Sequence, residues 1–254
     1  MCYRTAGWAG TVSQVTESLY SSLSIYDGAQ TRAPLFVTNR AEYICSLARA
    51  RSVLHIGCGD WPVTAQRLQS GALLHASLRR VARSLTGVDL EERAIQCLRE
   101  AGFADCIVGD AEQLELGTCF ECIVAGDVLE HVSNAGAVIA ALARHLTPDG
   151  NLVIAVPSAL SIGSVRALLN RSENVHRDHT AYYSPKTLSS LCSRYGFVPT
   201  SLVFTVQPAV EGESALYLKL RDALLQRRPA FAPSFVMTLQ RVAVVDTSKY
   251  WTWR

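Results

Sequence analysis

The chain has no apolar run near the roughly 20 residues that cross a bilayer, and no charged-then-apolar leader opens it. Both absences lead to the expectation of a soluble, cytoplasmic protein with no membrane partner. Charge is not concentrated either. Lysine and arginine number 24 against 22 aspartate and glutamate, a net charge of +2. Nucleic-acid binding needs a concentrated basic face, so no nucleic-acid partner is expected. Internal repeats and low-complexity stretches are missing. Metal-ligand spacing is missing as well: Cys119-Phe-Glu-Cys122 is a lone CxxC, without a second pair or histidines at ligand distance. Several of the eight cysteines fall within apolar runs, where a thiol acts as a small hydrophobe. No metal is expected, and the cysteine use suits a reducing compartment.

What is present is 254 residues, 49% of them hydrophobic, enough for one large α/β domain. The organising stretch is Arg51-Ser-Val-Leu-His-Ile-Gly-Cys-Gly-Asp60. Val53, Leu54 and Ile56 predict a short buried strand, Gly57 and Gly59 a tight turn, and the residues from Thr64 a helix. Such a turn lets a ligand approach the backbone, and the helix start points N–H groups toward it.

Before it, Val12, Val15, Leu19, Leu23 and Tyr26 recur at helical spacing, as do Val37, Ala41, Ile44 and Ala48. Residues 1–50 are therefore expected to form a helical cap, and residues 51–254 the main domain. The cap either packs on the sheet edge or covers a ligand with Tyr20, Tyr26 or Arg32. After the turn, strands are expected at Ser84–Asp89, Ala104–Val108, Phe120–Ala125, Asn151–Val156, Thr200–Val206 and within Phe235–Val245. Helices are expected around Leu73–Leu85, Glu91–Ala101, Val138–Leu146, from Pro185 (with Ser184 as cap and the proline at the first helical position) to an end at Gly196, and at 213–227, the last through Leu216, Leu220 and Leu224. Strands that alternate with helices and read as continuous apolar runs indicate a parallel sheet covered on both faces. The fold class is α/β: a Rossmann-like, seven-stranded, mostly parallel sheet flanked by helices, with the N-terminal helical addition.

Ligands in such folds bind beyond the carboxyl ends of the strands. Those ends carry Gly57-Cys-Gly59, Asp89, Asp110 and Asp127. An acid closing the second strand, here further on than the ~20 residues usual, commonly holds a ribose. That fits both a nicotinamide dinucleotide and S-adenosylmethionine. A dinucleotide fingerprint asks for G-x-G-x-x-G, whereas the third position here is Pro62, which has no N–H for a pyrophosphate. Asp60 would also repel that anion. A zwitterionic methionine end tolerates the acid better.

The pieces Val53-Leu-His-Ile-Gly-Cys-Gly59, Gly87-Val-Asp-Leu90, Gly109-Asp-Ala-Glu112, Asp127-Val-Leu-Glu-His-Val132 and Leu146-Thr-Pro-Asp-Gly-Asn-Leu-Val153 stand in order over about 50–160. In this the chain resembles the class I S-adenosylmethionine-dependent methyltransferases, especially the small-molecule branch related to ubiquinone-biosynthesis enzymes. Tyr183-Ser-Pro-Lys-Thr-Leu188 through Gly196-Phe197 resembles that branch too. The resemblance implies S-adenosylmethionine as cofactor and a small-molecule acceptor. It implies that Gly57, Cys58 and Gly59 approach the methionine and ribose by backbone, and that Asp89, with Leu90 beside it, holds the ribose hydroxyls. It further implies that Asp110, Ala111 and Glu112 face the adenine, that Asp127 lines the methionine end, and that His131 begins the next helix near the substrate. Two positions depart from the pattern. His55 stands where the family commonly has an acid, and Trp61 where it commonly has a third glycine.

His176-Arg-Asp-His179 follows the fifth strand, where substrate loops enter. His176 or His179 is expected to be a general base for a hydroxyl acceptor, since imidazole titrates near neutral pH, or to orient that acceptor. Tyr182 and Tyr183 are expected to divide between pocket wall and core. The expected function is methyl transfer to a hydroxyl of a metabolite or sugar. Beside it stand nitrogen or carbon transfer, a methyltransferase-like module without turnover, and a nicotinamide-dependent oxidoreductase.

Overall fold

The structure, a computed structural model, describes residues 36–173, 175–206 and 214–242. The helical spacing from Val12 to Tyr26, the ligand-covering candidates Tyr20, Tyr26 and Arg32, and the aromatic tail at 250–254 lie outside these residues.

Among the described residues the chain runs β1 (Phe36–Val37), α1 (Arg40–Ala48), β2 (Ser52–Ile56), α2 (Thr64–Ser70), α3 (Leu74–Val81) and β3 (Ser84–Asp89). It continues through α4 (Glu92–Glu100), β4 (Cys106–Val108), β5 (Phe120–Gly126), α5 (Ala135–His145), β6 (Leu146–Pro157) and α6 (Ile162–Leu169). It closes with α7 (Pro185–Ser193), β7 (Phe197–Thr205), α8 (Ala215–Arg227), a 3₁₀ turn at Pro229–Phe231 and β8 (Ser234–Arg241). The sheet order is β1-β7-β8-β6-β5-β2-β3-β4, with β8 antiparallel to both neighbours and every other pair parallel. The eighth strand is the two-residue edge β1. Val37 belongs to it, paired with Thr205, and not to the helix that its spacing suggested. Asn39 caps α1 by accepting from the Glu42 N–H, which starts that helix at Arg40.

Both faces of the sheet are covered, which is why its strands are continuously apolar. Leu54, Ile56, Ile123, Ala125, Leu152 and Ile154 pack with Val138, Ile139 and Leu142 of α5 and Leu188 of α7. Val53, Cys122, Val124, Val153 and Ala155 face the other way, onto Ile44 and Ala48 of α1 and Leu78 of α3. The period-2 alternation of β2 puts His55 on this second face, buried at 2% exposure. Ser184 caps α7 in a reciprocal box with Thr187, and Pro185 opens the helix, as the Ser-Pro pair indicated.

Several local expectations are corrected. Pro148-Asp149-Gly150, residue types that favour a turn, does not separate two elements. Residues 147–150 bulge within β6 opposite Glu121 alone, because Phe120 pairs with Leu146 and Cys122 with Asn151. Leu85 lies in β3, since α3 stops at Val81. Residues 158–184, for which no helix is expected from the sequence, contain α6, whose cap is Ser161. In α8, Leu216 and Leu220 are exposed and Leu225 is the buried leucine, because that helix meets the body through its last turn and the Pro229–Phe231 segment.

The chain reverses its winding between β2 and β5, so the tips of these neighbouring strands open a crevice at the switch point. Two glycines shape it. Gly57 has φ +71, and a Cβ there would lie 2.7 Å from Val128 Cγ2. A Cβ on Gly59 would lie 2.4 Å from Ala94 Cβ and 2.9 Å from Asp89 Oδ2. Gly59→Ala is therefore expected to destabilise the protein by about 1–3 kcal/mol through overpacking, read as a lower urea midpoint. An unchanged midpoint would show that α4 can move aside.

Candidate functional site

The glycine turn is tied to β3. Gly57 and Cys58 N–H both donate to the Val88 carbonyl, at 2.8 and 3.2 Å. Gly59 N–H donates to Asp89 Oδ2 at 2.7 Å, and Glu91 N–H donates to Asp89 Oδ1 at 3.0 Å. The three N–H groups of the turn are thus used inside the protein, and α2 starts only at Thr64. What the turn offers a ligand is close approach of backbone, not the row of donors that the sequence suggested. Asp60 pairs with Arg67. Trp61 is 45% exposed and lies beneath the Arg93 guanidinium, 5.9 Å from its ring centre.

Asp110 ends β4 on the same edge, its Oδ1 accepting from Glu112 N–H at 2.8 Å, with Ala111 half-buried beside it. Glu112 turns away from that tip. Its Oε1 accepts from Ser133 and Asn134 N–H, both at 2.9 Å, and so braces the entry to α5. Leu90 is 73% exposed. His55 points away from the turn into the α3 face, stacked on His75 at 5.4 Å. Burial first, and then His75, hold its pKa well below 6.5, so it is neutral.

Asp127 follows β5 at φ +54, and Arg40 of α1 grips its carboxylate with two guanidinium nitrogens, one at 2.7 Å. Sequence reasoning missed Arg40, which is 87 positions away and carries no pattern that distinguishes it from other arginines. It also missed Glu130, although that residue stands inside the quoted Asp127–Val132 piece. Glu130 is 1% exposed, and neither carboxyl oxygen has a hydrogen-bond partner among the described residues. Burial, with Asp127 nearby, pushes its pKa up to about 8, against the pull of Arg40.

His131 does not begin a helix. It sits in the turn before α5, which starts at Ala135 with Asn134 as cap. Its ring meets His179 at 4.6 Å and His176 at 6.3 Å, and His176 lies 5.3 Å from His179. The structure therefore gathers three histidines that the sequence separates. Thr180 does the joining: its N–H donates to the Glu130 carbonyl at 2.7 Å and its hydroxyl to the Val132 carbonyl at 2.7 Å. Tyr183 is core and donates to the Leu129 carbonyl at 3.3 Å, while Tyr182 stands against the His179 ring at 5.6 Å. Burial, then His131 and His176, lower the His179 pKa below 6.5, so this imidazole is neutral at pH 7. One donor atom from each of Glu130, His131 and His179 lies within 4.8 Å of the others, close enough to share a cation.

A Rossmann-like sheet with a glycine turn and a carboxylate at neighbouring strand tips is a frame shared by several nucleoside-cofactor folds, and the family match places the chain among the S-adenosylmethionine-dependent methyltransferases, for which S-adenosylmethionine is the methyl donor. The chain belongs to the methyltransferase domain family, whose model matches residues 30–202. It is 26% identical over 147 residues to a mitochondrial ubiquinone biosynthesis O-methyltransferase of Schizosaccharomyces pombe, covering 52% of this chain and 50% of that protein. It is 29% identical over 174 residues to a ubiquinone biosynthesis O-methyltransferase of Xanthomonas oryzae, covering 60% of this chain and 68% of that one. The chain thus spans about half to two thirds of the length of these curated relatives. Among solved structures, magnesium protoporphyrin IX methyltransferase from Synechocystis, with bound SAH, superposes with a TM-score of 0.53 at 14% identity, covering 94% of this chain and 90% of that one. That likeness is one of fold.

Glu130 gives a pH test. Between about pH 4.5 and about pH 8 the unfolded chain has released this proton and the folded chain still holds it. Stability therefore falls as pH rises through that window. Below it both states are protonated and the penalty is absent. The difference in urea midpoint between Glu130→Gln and the wild type is expected to move in favour of the variant as pH rises across the window. A difference that stays constant with pH would contradict the raised pKa.

Proposed function

We propose that the protein moves a methyl group from S-adenosylmethionine to a hydroxyl oxygen of a small-molecule acceptor. The observation that carries this reading is the neutral, half-buried His179, held with His131 and Glu130 beside the strand tips that would hold the cofactor. The O-methyltransferase names of the curated relatives support the same acceptor atom.

S-adenosylmethionine supplies an electrophilic methyl group on a cationic sulfur. The residues fit the rest of the molecule. A carboxylate offers about four acceptor sites, and two of those on Asp89 are taken by the Gly59 and Glu91 N–H groups. The remaining sites suit two ribose hydroxyls. Gly57 and Gly59, which carry no Cβ, let the turn close onto β3 and that carboxylate, so a ligand held there would meet backbone. Asp110 with Ala111 would meet the adenine edge. Arg40 and Asp127 present opposite charges side by side, complementary to the carboxylate and ammonium of a methionine end. Glu112 and Leu90 take no part here: one braces α5 and the other faces solvent.

His179 would take the acceptor's hydroxyl proton. A neutral imidazole with a pKa somewhat below its usual value keeps its lone pair at neutral pH. Glu130, kept uncharged, spares the site a buried anion. His131 and His176 hold the His179 ring and oppose a second positive charge there. Alignment would supply much of the remaining acceleration. His55, buried on the far face, has no contact that would interrupt this arrangement.

Asp89→Ala is expected to weaken S-adenosylmethionine binding by about 1.5–3 kcal/mol, roughly ten- to a hundredfold, measured by calorimetry. Unchanged affinity in a folded variant would remove the ribose assignment. His179→Ala is expected to leave that affinity intact and to lower methyl transfer about 10²–10⁴-fold, read as homocysteine release over a panel of small hydroxylated acceptors. If an acceptor turned over by the wild type is methylated at full rate by His179→Ala, the base assignment is wrong.

A further inference from the structure

Behind the glycine turn lies a second cluster that methyl transfer does not use. Across three adjacent strands, His55 of β2 stands opposite Gly87 of β3, and Gly87 opposite Cys106 of β4. Gly87 has no side chain, so this row has a hole at its centre. His75 comes down from α3 over that hole. Its Nδ1 lies 3.1 Å from His55 Nδ1, and its Nε2 lies 3.2 Å from Cys106 Sγ. Cys58, the middle residue of the turn, enters from the remaining side. Cys58, His75 and Cys106 are 1%, 2% and 0% exposed, and one donor atom from each lies within 4.8 Å of the other two. Both cysteines are free thiols.

The hole has the dimensions of a cradle. The point a Gly87 Cβ would occupy is 2.8 Å from Cys58 Sγ, 2.9 Å from Cys106 Sγ and 2.7 Å from His75 Cε1. A zinc ion bonds sulfur at about 2.3 Å and imidazole nitrogen at about 2.0–2.1 Å, so each sulfur needs to move inward by roughly half an ångström, and the His75 ring, which turns Cε1 toward that point, needs to pivot to bring Nε2 onto the ion. We propose that Cys58, His75 and Cys106 form a buried binding site for a thiophilic metal ion, and that zinc is its occupant.

Charge selects the divalent ion. Two thiolates and a neutral imidazole around zinc sum to zero, whereas monovalent copper leaves a net negative charge in a fully buried pocket, which is costly. On binding, the Cys58 and Cys106 S–H bonds break, two metal–sulfur bonds form, two protons leave to solvent, and no electrons are transferred. With Nε2 on the metal, His75 Nδ1–H donates to His55 Nδ1, the outer-shell partner that fixes a metal-bound imidazole. This assigns His55 a part in holding His75. The ion would clamp the x of the Gly-x-Gly turn to β4 and α3, behind the face that takes the cofactor.

The test is uptake of zinc and of its spectroscopic substitute cobalt by the whole chain, freed of metal with a chelator. One zinc per chain, release of two protons per ion, and a sulfur-to-cobalt charge-transfer band are expected. That band separates this site from the sulfur-free Glu130–His131–His179 group. Cys106→Ser and His75→Gln, each judged folded by circular dichroism, are expected to lose the thiolate band or to weaken zinc binding at least tenfold. Absence of uptake by the wild type overturns the proposal, as does a thiolate band that survives in folded Cys106→Ser. Tighter retention of copper(I) than of zinc overturns the choice of ion. Should neither variant fold, X-ray absorption of the zinc-loaded wild type decides: a shell of two sulfurs with nitrogen supports the site, and any other shell overturns it.

Discussion

The hydrogen bond from Gly59 N–H to the Asp89 carboxylate is the contact on which the rest of the site depends. It joins the tips of two adjacent parallel strands by a charge-assisted bond. It forms only because Gly59 carries no side chain, since a Cβ would run into both Ala94 and Asp89. The second oxygen of the same carboxylate starts α4 by accepting from Glu91 N–H. One acid therefore sets the turn after β2, the entry to α4 and the acceptor sites left for a ligand. A substitution there disturbs support and binding together.

The opposite wall of the crevice is held by backbone rather than by charge. Thr180 donates into the carbonyls of Glu130 and Val132, and Tyr183 into that of Leu129. These bonds lay an otherwise exposed histidine loop along the turn that follows β5. Once it is there, the electrostatics follow. Glu130 is buried without a hydrogen-bond partner among the described residues and keeps its proton. Burial, and then two neighbouring imidazoles, hold the His179 pKa below its ordinary value. Beside them stand two charged pairs, Arg40 with Asp127 and, in the histidine loop, Arg177 with Asp178.

Burial fixes histidine chemistry differently elsewhere in the molecule. His145 is buried with both nitrogens satisfied: Nδ1 faces the Ala141 carbonyl at 2.7 Å, and Nε2 accepts from Leu116 N–H at 2.8 Å. It is a structural residue. His75 has one nitrogen toward another histidine and one toward a thiol, so with Nδ1–H given to His55 its single lone pair, on Nε2, faces sulfur. The residue type is the same, and the neighbours decide its use.

Much of this was legible in the chain itself. Apolar runs of strand length, the Gly-x-Gly turn, acids at successive strand ends and the Ser-Pro helix start are local signals, and each rests on backbone sterics, side-chain period or a cap within a few residues. They determined a covered parallel sheet with a polar carboxyl edge. The Arg40–Asp127 pair, the meeting of His131 with His176 and His179, the diversion of Glu112 to α5 and the gathering of Cys58, His75 and Cys106 over Gly87 carry no such local signal. Each joins residues from elements far apart in sequence, and their approach is set by strand order and by which face each strand turns to which helix. Only the tertiary structure decided them, because which loops and helices meet depends on strand order, and a one-residue slip of β4 would turn Cys106 to the other face of the sheet.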